Sequence, residues 1–206
     1  MLLVTNKMVG LMDVQVAKEL AREKLSDERY YHTECVAAKA KQLALQFGED
    51  VNKALIAGYL HDIAKEFEKA DLLQMLEASD IIEHDNLLDC PSVWHGHAAA
   101  VYLKREFGID EEIASAICYH TTARANMSLL EKIVFLADCI SDDREYEYLD
   151  EIKDILTTES VSNDNFLDEA LLFTIRKQIE RLTKQNRQIH YDSIKAYNYL
   201  ALLLNK

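Results

Sequence analysis

Apolar positions recur three and four apart along nearly the whole chain, the spacing that lines one face of an α-helix. The stretch "YHTECVAAKAKQLALQFG" carries it and stops at Gly48, a residue suited to a left-handed C-cap. "EDVNKALIAGYLHDIAKEF" predicts a helix directly after it, and "KADLLQMLEAS" a short amphipathic one. "IIEHDNLLDCPS" is the least regular stretch. "VWHGHAAAVYLKREFG" closes on Gly108 just as the earlier helix closes on Gly48. In "DEEIASAICYH", Asp110 stands as N-cap with acidic residues in the first turn. Ser128 and Glu131 predict a capping box at the head of the strongly apolar "SLLEKIVFLADCI". A short helix, a polar connector around Ser162 to Asn165 and a longer amphipathic helix follow, and "DSIKAYNYLALLLNK" is the last helix.

Composition agrees with this pattern. Five glycines and one proline, Pro91, are too few for a turn-rich β protein of 206 residues, so the fold class is all-α, a helical bundle. With 49% hydrophobic residues the chain can bury a sizeable core. No composition break interrupts it. Residues 1–25 read as an N-terminal helical extension and 26–206 as one domain that includes the C-terminal helices.

The formal charge of −13 argues against duplex nucleic acid or an anionic membrane as partner, since both are bound by clustered Lys and Arg. A small anionic ligand stays possible, because it needs only a local group of cations. Cys35, Cys90, Cys118 and Cys139 show no Cys-x-x-Cys spacing and read as reduced structural thiols. The start, "MLLVTNKMVGLMDVQ", has no cationic lead or long apolar stretch, and no segment approaches a membrane span, so a cytoplasmic protein is expected.

Candidate chemistry lies where ionisable groups interrupt or end apolar runs: His32, the pair His61-Asp62, His120 and Asp138. Seven of the eight residues in "IVFLADCI" are apolar, with Asp138 the exception. Burying even an unpaired polar group costs roughly 2–7 kcal/mol, and a charge costs more. A bound cation offsets that cost. Taken singly, a helical His is more often a hydrogen-bonded core residue, and a buried Asp more often caps a helix or pairs with Arg. Three histidines and two aspartates beside apolar runs on successive helices are harder to read as independent accidents. Their mixture of imidazole nitrogen and carboxylate oxygen suits iron, manganese, zinc or another divalent first-row metal better than calcium. Adjacent helical residues point about 100° apart, so His61 and Asp62 share an ion only where other helices enclose it.

The order His32, His61-Asp62, Asp138 resembles the H…HD…D pattern of the HD-domain metal-dependent phosphohydrolases. The words "RYYHT", "HDIAK", "WHGH" and "YHTTARANMSLLEKIVFLAD", with Arg144 downstream, are similar to the YqeK-type family of symmetrical bis(5'-nucleosyl)-tetraphosphatases. The likeness is strong over residues 27–150 and weaker to "NRQIHYDSIKAYNYL". It implies an HD-domain bundle with a metal site in its core, and hydrolysis of diadenosine tetraphosphate to two ADP by a hydroxide generated at the metal. It further implies iron on His32, His61, Asp62 and Asp138. His95, His120 and Thr121 would lie against the phosphates, with Arg29, Lys65 and Arg144 as cationic contacts. His95, His120 and Lys65 are then the catalytic candidates, and the phosphate cleft also borders Asp62 and Asp138. The partner is a dinucleoside polyphosphate or an ADP-like nucleotide, and a homodimer is compatible with this reading.

His97 is placed nearly as well as His95, but His95 stands in the family's "HG" word. His84 and His190 are expected on the surface or in loops. The chain departs from the family at "ARANM", where "GRPGM" is usual, and at "CISDDR", where a Glu-Pro is expected. The closing loop also lacks expected prolines. Two alternatives remain: an HD phosphohydrolase acting on another nucleotide, and a metal- and nucleotide-binding module without turnover.

Overall fold

Each helix starts and stops where a local hydrogen bond closes it. The computed structural model describes residues 12–79, 87–157 and 165–205, and among these there are ten α-helices and no strand. Asp13 accepts from Val16 N at 2.8 Å and opens α1 (Val14–Lys24). Helix α2 (Asp27–Phe47) ends at Gly48, whose φ of +79° lets its N–H reach Ala44 O at 2.9 Å. A left-handed residue there is tolerated best as glycine. Asp50 caps α3 (Val51–Leu60) by accepting from Asn52 N and Lys53 N.

The pattern predicted helix through residue 67, but α3 stops at Leu60. Beyond it the chain tightens into turns: Ile63 N donates to Leu60 O at 3.1 Å, Lys65 N to Asp62 O at 2.8 Å and Phe67 N to Ala64 O at 3.1 Å. The His61 side chain explains part of this, because its Nδ1 donates to Gly58 O at 2.8 Å and occupies a carbonyl that continued helix would use.

Next come α4 (Lys69–Glu77), a single 3-10 turn at Pro91–Val93, and α5 (Trp94–Phe107). Much of the irregular stretch, including His84, lies outside the described residues. Gly108, with φ of +62°, ends α5 as Gly48 ends α2. Asp110 accepts from Glu112 N at 2.8 Å and caps α6 (Glu111–Tyr119). The expected capping box opens α7 (Leu129–Ile140), with Ser128 N donating to Glu131 Oε2 at 2.7 Å and Glu131 N to Ser128 Oγ at 3.3 Å. Helices α8 (Leu149–Thr157), α9 (Phe166–Lys184) and α10 (Tyr191–Leu204) complete the bundle. Most of the polar connector before α9 is also outside the described residues.

The α7 helix is the central post, packed on α2, α3, α6 and α9. Ile133, Val134, Phe135, Leu136 and Ala137 are fully buried on it. Burying a side chain as large as Phe135 stabilises by about 1.5–3 kcal/mol. Small residues set the spacing: a Cβ on Gly58 of α3 would lie 2.6 Å from Ala37 Cα of α2, and one on Gly96 of α5 would lie 2.9 Å from Cys118 O of α6. These approaches hold α3 close to α2 and α5 close to α6, and α2, α3 and α6 in turn pack on α7. Among the described residues no helix is long and apolar enough to cross a membrane, and no disulfide joins Cys35, Cys90, Cys118 or Cys139.

Candidate metal centre and phosphate cleft

Four elements converge on one spot. Helix α2 brings His32, the turn after α3 brings His61 and Asp62, the end of α6 brings His120, and α7 brings Asp138. Three imidazoles share one arrangement, with Nδ1 tied to an acceptor and Nε2 aimed inward. His61 Nδ1 donates to Gly58 O at 2.8 Å, His120 Nδ1 to Ile117 O at 2.7 Å, and His32 Nδ1 to Asp143 Oδ2 at 2.6 Å. Fixing the outer nitrogen in this way sets the tautomer of a metal-binding histidine.

His61 tests the fit of a metal. It is fully buried, and its Nε2 has no hydrogen-bond partner among the described residues. That nitrogen faces Asp138 Oδ1 at 3.9 Å and Asp62 Oδ2 at 4.0 Å. Burial lowers the His61 pKa to about 4, so the ring is neutral at pH 7 with its lone pair turned to two carboxylates. His32 Nε2 lies 3.0 Å from Asp138 Oδ1 while Nδ1 already donates to Asp143. A shared cation, proton or metal, satisfies that contact. A divalent first-row ion suits this donor set.

Asp62 has two sides. Its Oδ1 lies 3.2 Å from His95 Nε2, 3.5 Å from His120 Nε2 and 3.6 Å from Lys65 Nζ. Its Oδ2 faces His61 and, at 3.7 Å, Arg29 Nη1. Burial opposes ionisation of Asp62, but His61, His120 and His95 outweigh it and hold the carboxyl well below its usual range. Asp138 follows the same logic: burial raises it, and His32, His61 and Arg144 depress it further than burial lifts it. Arg144 donates to the Asp138 backbone O from Nε at 2.9 Å and to Oδ1 from Nη2.

Potential donor atoms fall into three overlapping groups, each within 4.8 Å: His32, His61 and Asp62; His61, His120 and Asp138; Asp62, His95 and His120. His120 belongs to two of them, so the sequence's division between ligand residues and phosphate-side histidines is not a spatial one. Thr121 Oγ1 lies 3.0 Å from His120 Nε2 and 3.2 Å from His95 Nε2, and Lys65 Nζ lies 3.0 Å from His95 Nε2. Every candidate site residue therefore lies in or beside the cluster. The structure separates His95 from His97, whose Nδ1 faces Val93 O at 3.4 Å and whose ring packs on Tyr119 and His190. His190 lies in the loop before α10, one of its two expected places, but it is buried there and caps α10 by accepting from Asp192 N at 3.3 Å.

Three cavities share Lys65 in their lining, two of them larger than the third. One, of about 580 Å³, is lined by Arg29, His32, Asp62 and Arg144. The other, of about 410 Å³, is lined by Thr121, by Gln178 and Arg181 of α9 and by Arg187 in the loop beyond it. The sequence reading missed Arg181 and Arg187, since an amphipathic helix and its following loop show many polar residues and nothing local marks those facing a cleft. Asp143, within the departing word "CISDDR", is likewise unmarked, since its partner His32 lies on a distant helix.

The loop before α7 departs in a telling way. Ala123 and Asn126, where the family pattern has glycines, have φ of +58° and +55°. Both residues hold a left-handed backbone without being glycine. Arg124 clamps the loop, donating from Nε to Glu131 Oε1 at 2.8 Å.

Comparison with known proteins agrees with this geometry. Residues 29–143 match the HD domain. The chain is 35% identical over 191 residues to the symmetrical bis(5'-nucleosyl)-tetraphosphatase of Bacillus subtilis, covering 92% of this chain and 98% of that protein. It is 34% identical to the protein of that name from Staphylococcus aureus, covering 91% and 96%. The crystal structure of a predicted HD superfamily hydrolase involved in NAD metabolism from Clostridium acetobutylicum superposes with a TM-score of 0.84 at 32% identity, over 93% of this chain and 98% of that one. The chain belongs to the HD-domain family of metal-dependent phosphohydrolases.

Proposed function

We propose that the protein hydrolyses diadenosine tetraphosphate symmetrically to two ADP, with iron held by His32, His61, Asp62 and Asp138. The observation that carries this reading is the likeness, over nearly the full length of both chains, to proteins bearing that activity's name. Manganese or zinc would suit the same donors. The reading keeps the expectation of a cytoplasmic protein acting on a small nucleotide.

A divalent metal bound there supplies positive charge and makes water more acidic. The remaining work falls to the chain. Arg29, Lys65 and Arg144 line the cavity that also holds His32 and Asp62, offering forked and point-like cations to phosphate oxygens. They place three cations within one cavity of a protein whose net charge is −13. Water oxygen bonds to one of the two central phosphorus atoms, the bond from that phosphorus to the bridging oxygen breaks, and the bridging oxygen leaves on the second ADP. His95 has its pKa lowered to about 4, chiefly by burial, so at neutral pH it enters as an uncharged hydrogen-bonding group. His120 has Nδ1 committed to Ile117 O and only Nε2 to offer. Positioning and charge stabilisation are the main demands of phosphoryl transfer.

The test is metal analysis of anaerobically purified protein, followed by incubation with diadenosine tetraphosphate and with common mononucleotides. ADP as sole product is the expected result. Intact diadenosine tetraphosphate beside rapid phosphate release from a mononucleotide would overturn the reading.

A further inference from the structure

A substrate cut at its midpoint must place a nucleoside on each side of the reacting phosphates. This inference rests on the proposed function and concerns where one of those nucleosides sits. The 580 Å³ cavity falls within the range of about 300–1,000 Å³ usual for small-molecule sites. Its two ends differ in character. The inner end holds buried Asp62 and the cations Arg29, Lys65 and Arg144. The rim is formed by the start of α2 (Ser26, Glu28 and Tyr31) and by Glu66 of the turn after α3.

That rim suits no phosphate, since Glu28 and Glu66 would repel one. It suits a nucleoside. Carboxylates accept hydrogen bonds from ribose hydroxyls and from an exocyclic amine, and an aromatic ring stacks on a base. Tyr31 is 61% exposed while lining the cavity, so its ring face is open to such a partner. A large aromatic side chain left in water at the mouth of a ligand cleft is explained by a ligand that covers it.

We propose that the Tyr31 rim is a nucleoside subsite, with the base of one half of the dinucleotide stacked on the Tyr31 ring and its ribose near Glu28. The phosphates then run inward past Arg29 to the centre. Tyr31 acts in binding and not in the bond-breaking step.

The test compares Tyr31→Ala and Tyr31→Phe with wild type in steady-state cleavage of diadenosine tetraphosphate, with inorganic tetraphosphate as a competitive inhibitor. The expected result is a KM roughly tenfold higher for Tyr31→Ala, with kcat little changed, and recovery in Tyr31→Phe. The inhibition constant of tetraphosphate, which carries no nucleoside, should stay the same. A KM within twofold of wild type for Tyr31→Ala, no recovery with Phe, or an equal rise in the tetraphosphate constant would each overturn the subsite. Wild-type protein that leaves diadenosine tetraphosphate intact would instead overturn the function on which the subsite rests.

Discussion

His32 Nε2 lies 3.0 Å from Asp138 Oδ1 although 106 residues separate them. On the other side of the same ring, Nδ1 lies 2.6 Å from Asp143 Oδ2. One imidazole thus joins α2 to both the end of α7 and the loop beyond it. Its pKa reflects these neighbours: burial lowers it, Arg144 lowers it, and the two aspartates outweigh both, so the net shift is upward.

Asp138→Ala is expected to abolish metal binding and activity together. Asp143→Asn should keep the fold but loosen the orientation of His32, weakening metal affinity about 10–100-fold. Metal content after dialysis and titration against a chelator check both variants. Wild-type metal content in Asp138→Ala would remove that residue from the ligand set.

Lys65→Ala is expected to retain metal while losing substrate handling. Its Nζ sits 3.0 Å from His95 Nε2 and 3.6 Å from Asp62 Oδ1, in the lining shared by the two larger cavities. A rise in KM or a fall in kcat of at least tenfold is anticipated, at about 1.4 kcal/mol per factor of ten. Unaltered steady-state constants would place Lys65 outside the reaction.

Ala123→Gly should not destabilise the protein. At φ of +58° an alanine bears a left-handed penalty of about 1–2 kcal/mol, which glycine relieves against its own entropy cost and a lost buried methyl. Ala40→Gly inside α2 serves as contrast, since glycine within a helix costs about 1 kcal/mol relative to alanine. Urea midpoints measure both. A drop of similar size at Ala123 would contradict the strain.

Stability of the metal-free protein should fall as pH drops from about 6.5 to 4. Burial lowers His61, His95 and His97 each to about 4. Across that window the unfolded chain takes up protons that the folded chain refuses, so acid favours unfolding. Each histidine contributes up to about 3 kcal/mol, a ceiling set by its shift from 6.5. His97→Asn should reduce the slope by one proton's share. Urea unfolding at several pH values in excess chelator reads this out, and a flat profile would refute it. Below pH 4 the depressed carboxyls of Asp62 and Asp138 take over, since their stabilisation is lost as they protonate.

Much of the fold was legible in the residues themselves. The glycine stops at Gly48 and Gly108, the Asp110 cap and the Ser128–Glu131 box are hydrogen bonds within one helical turn, so neighbouring residues suffice to specify them. The apolar run around Asp138 likewise announced a buried charge in need of a partner. What sequence could not reach was every relationship across helices: the His32–Asp143 pair, the two-sided role of Asp62, the burial of His190, and the turn of Arg181 toward the cleft. Even the end of α3 at Leu60 depends on a side chain turning back to Gly58 O. Periodicity specifies which face of a helix is buried. Only the packing distance, here set where Gly58 meets Ala37, decides which buried atoms come within reach of each other.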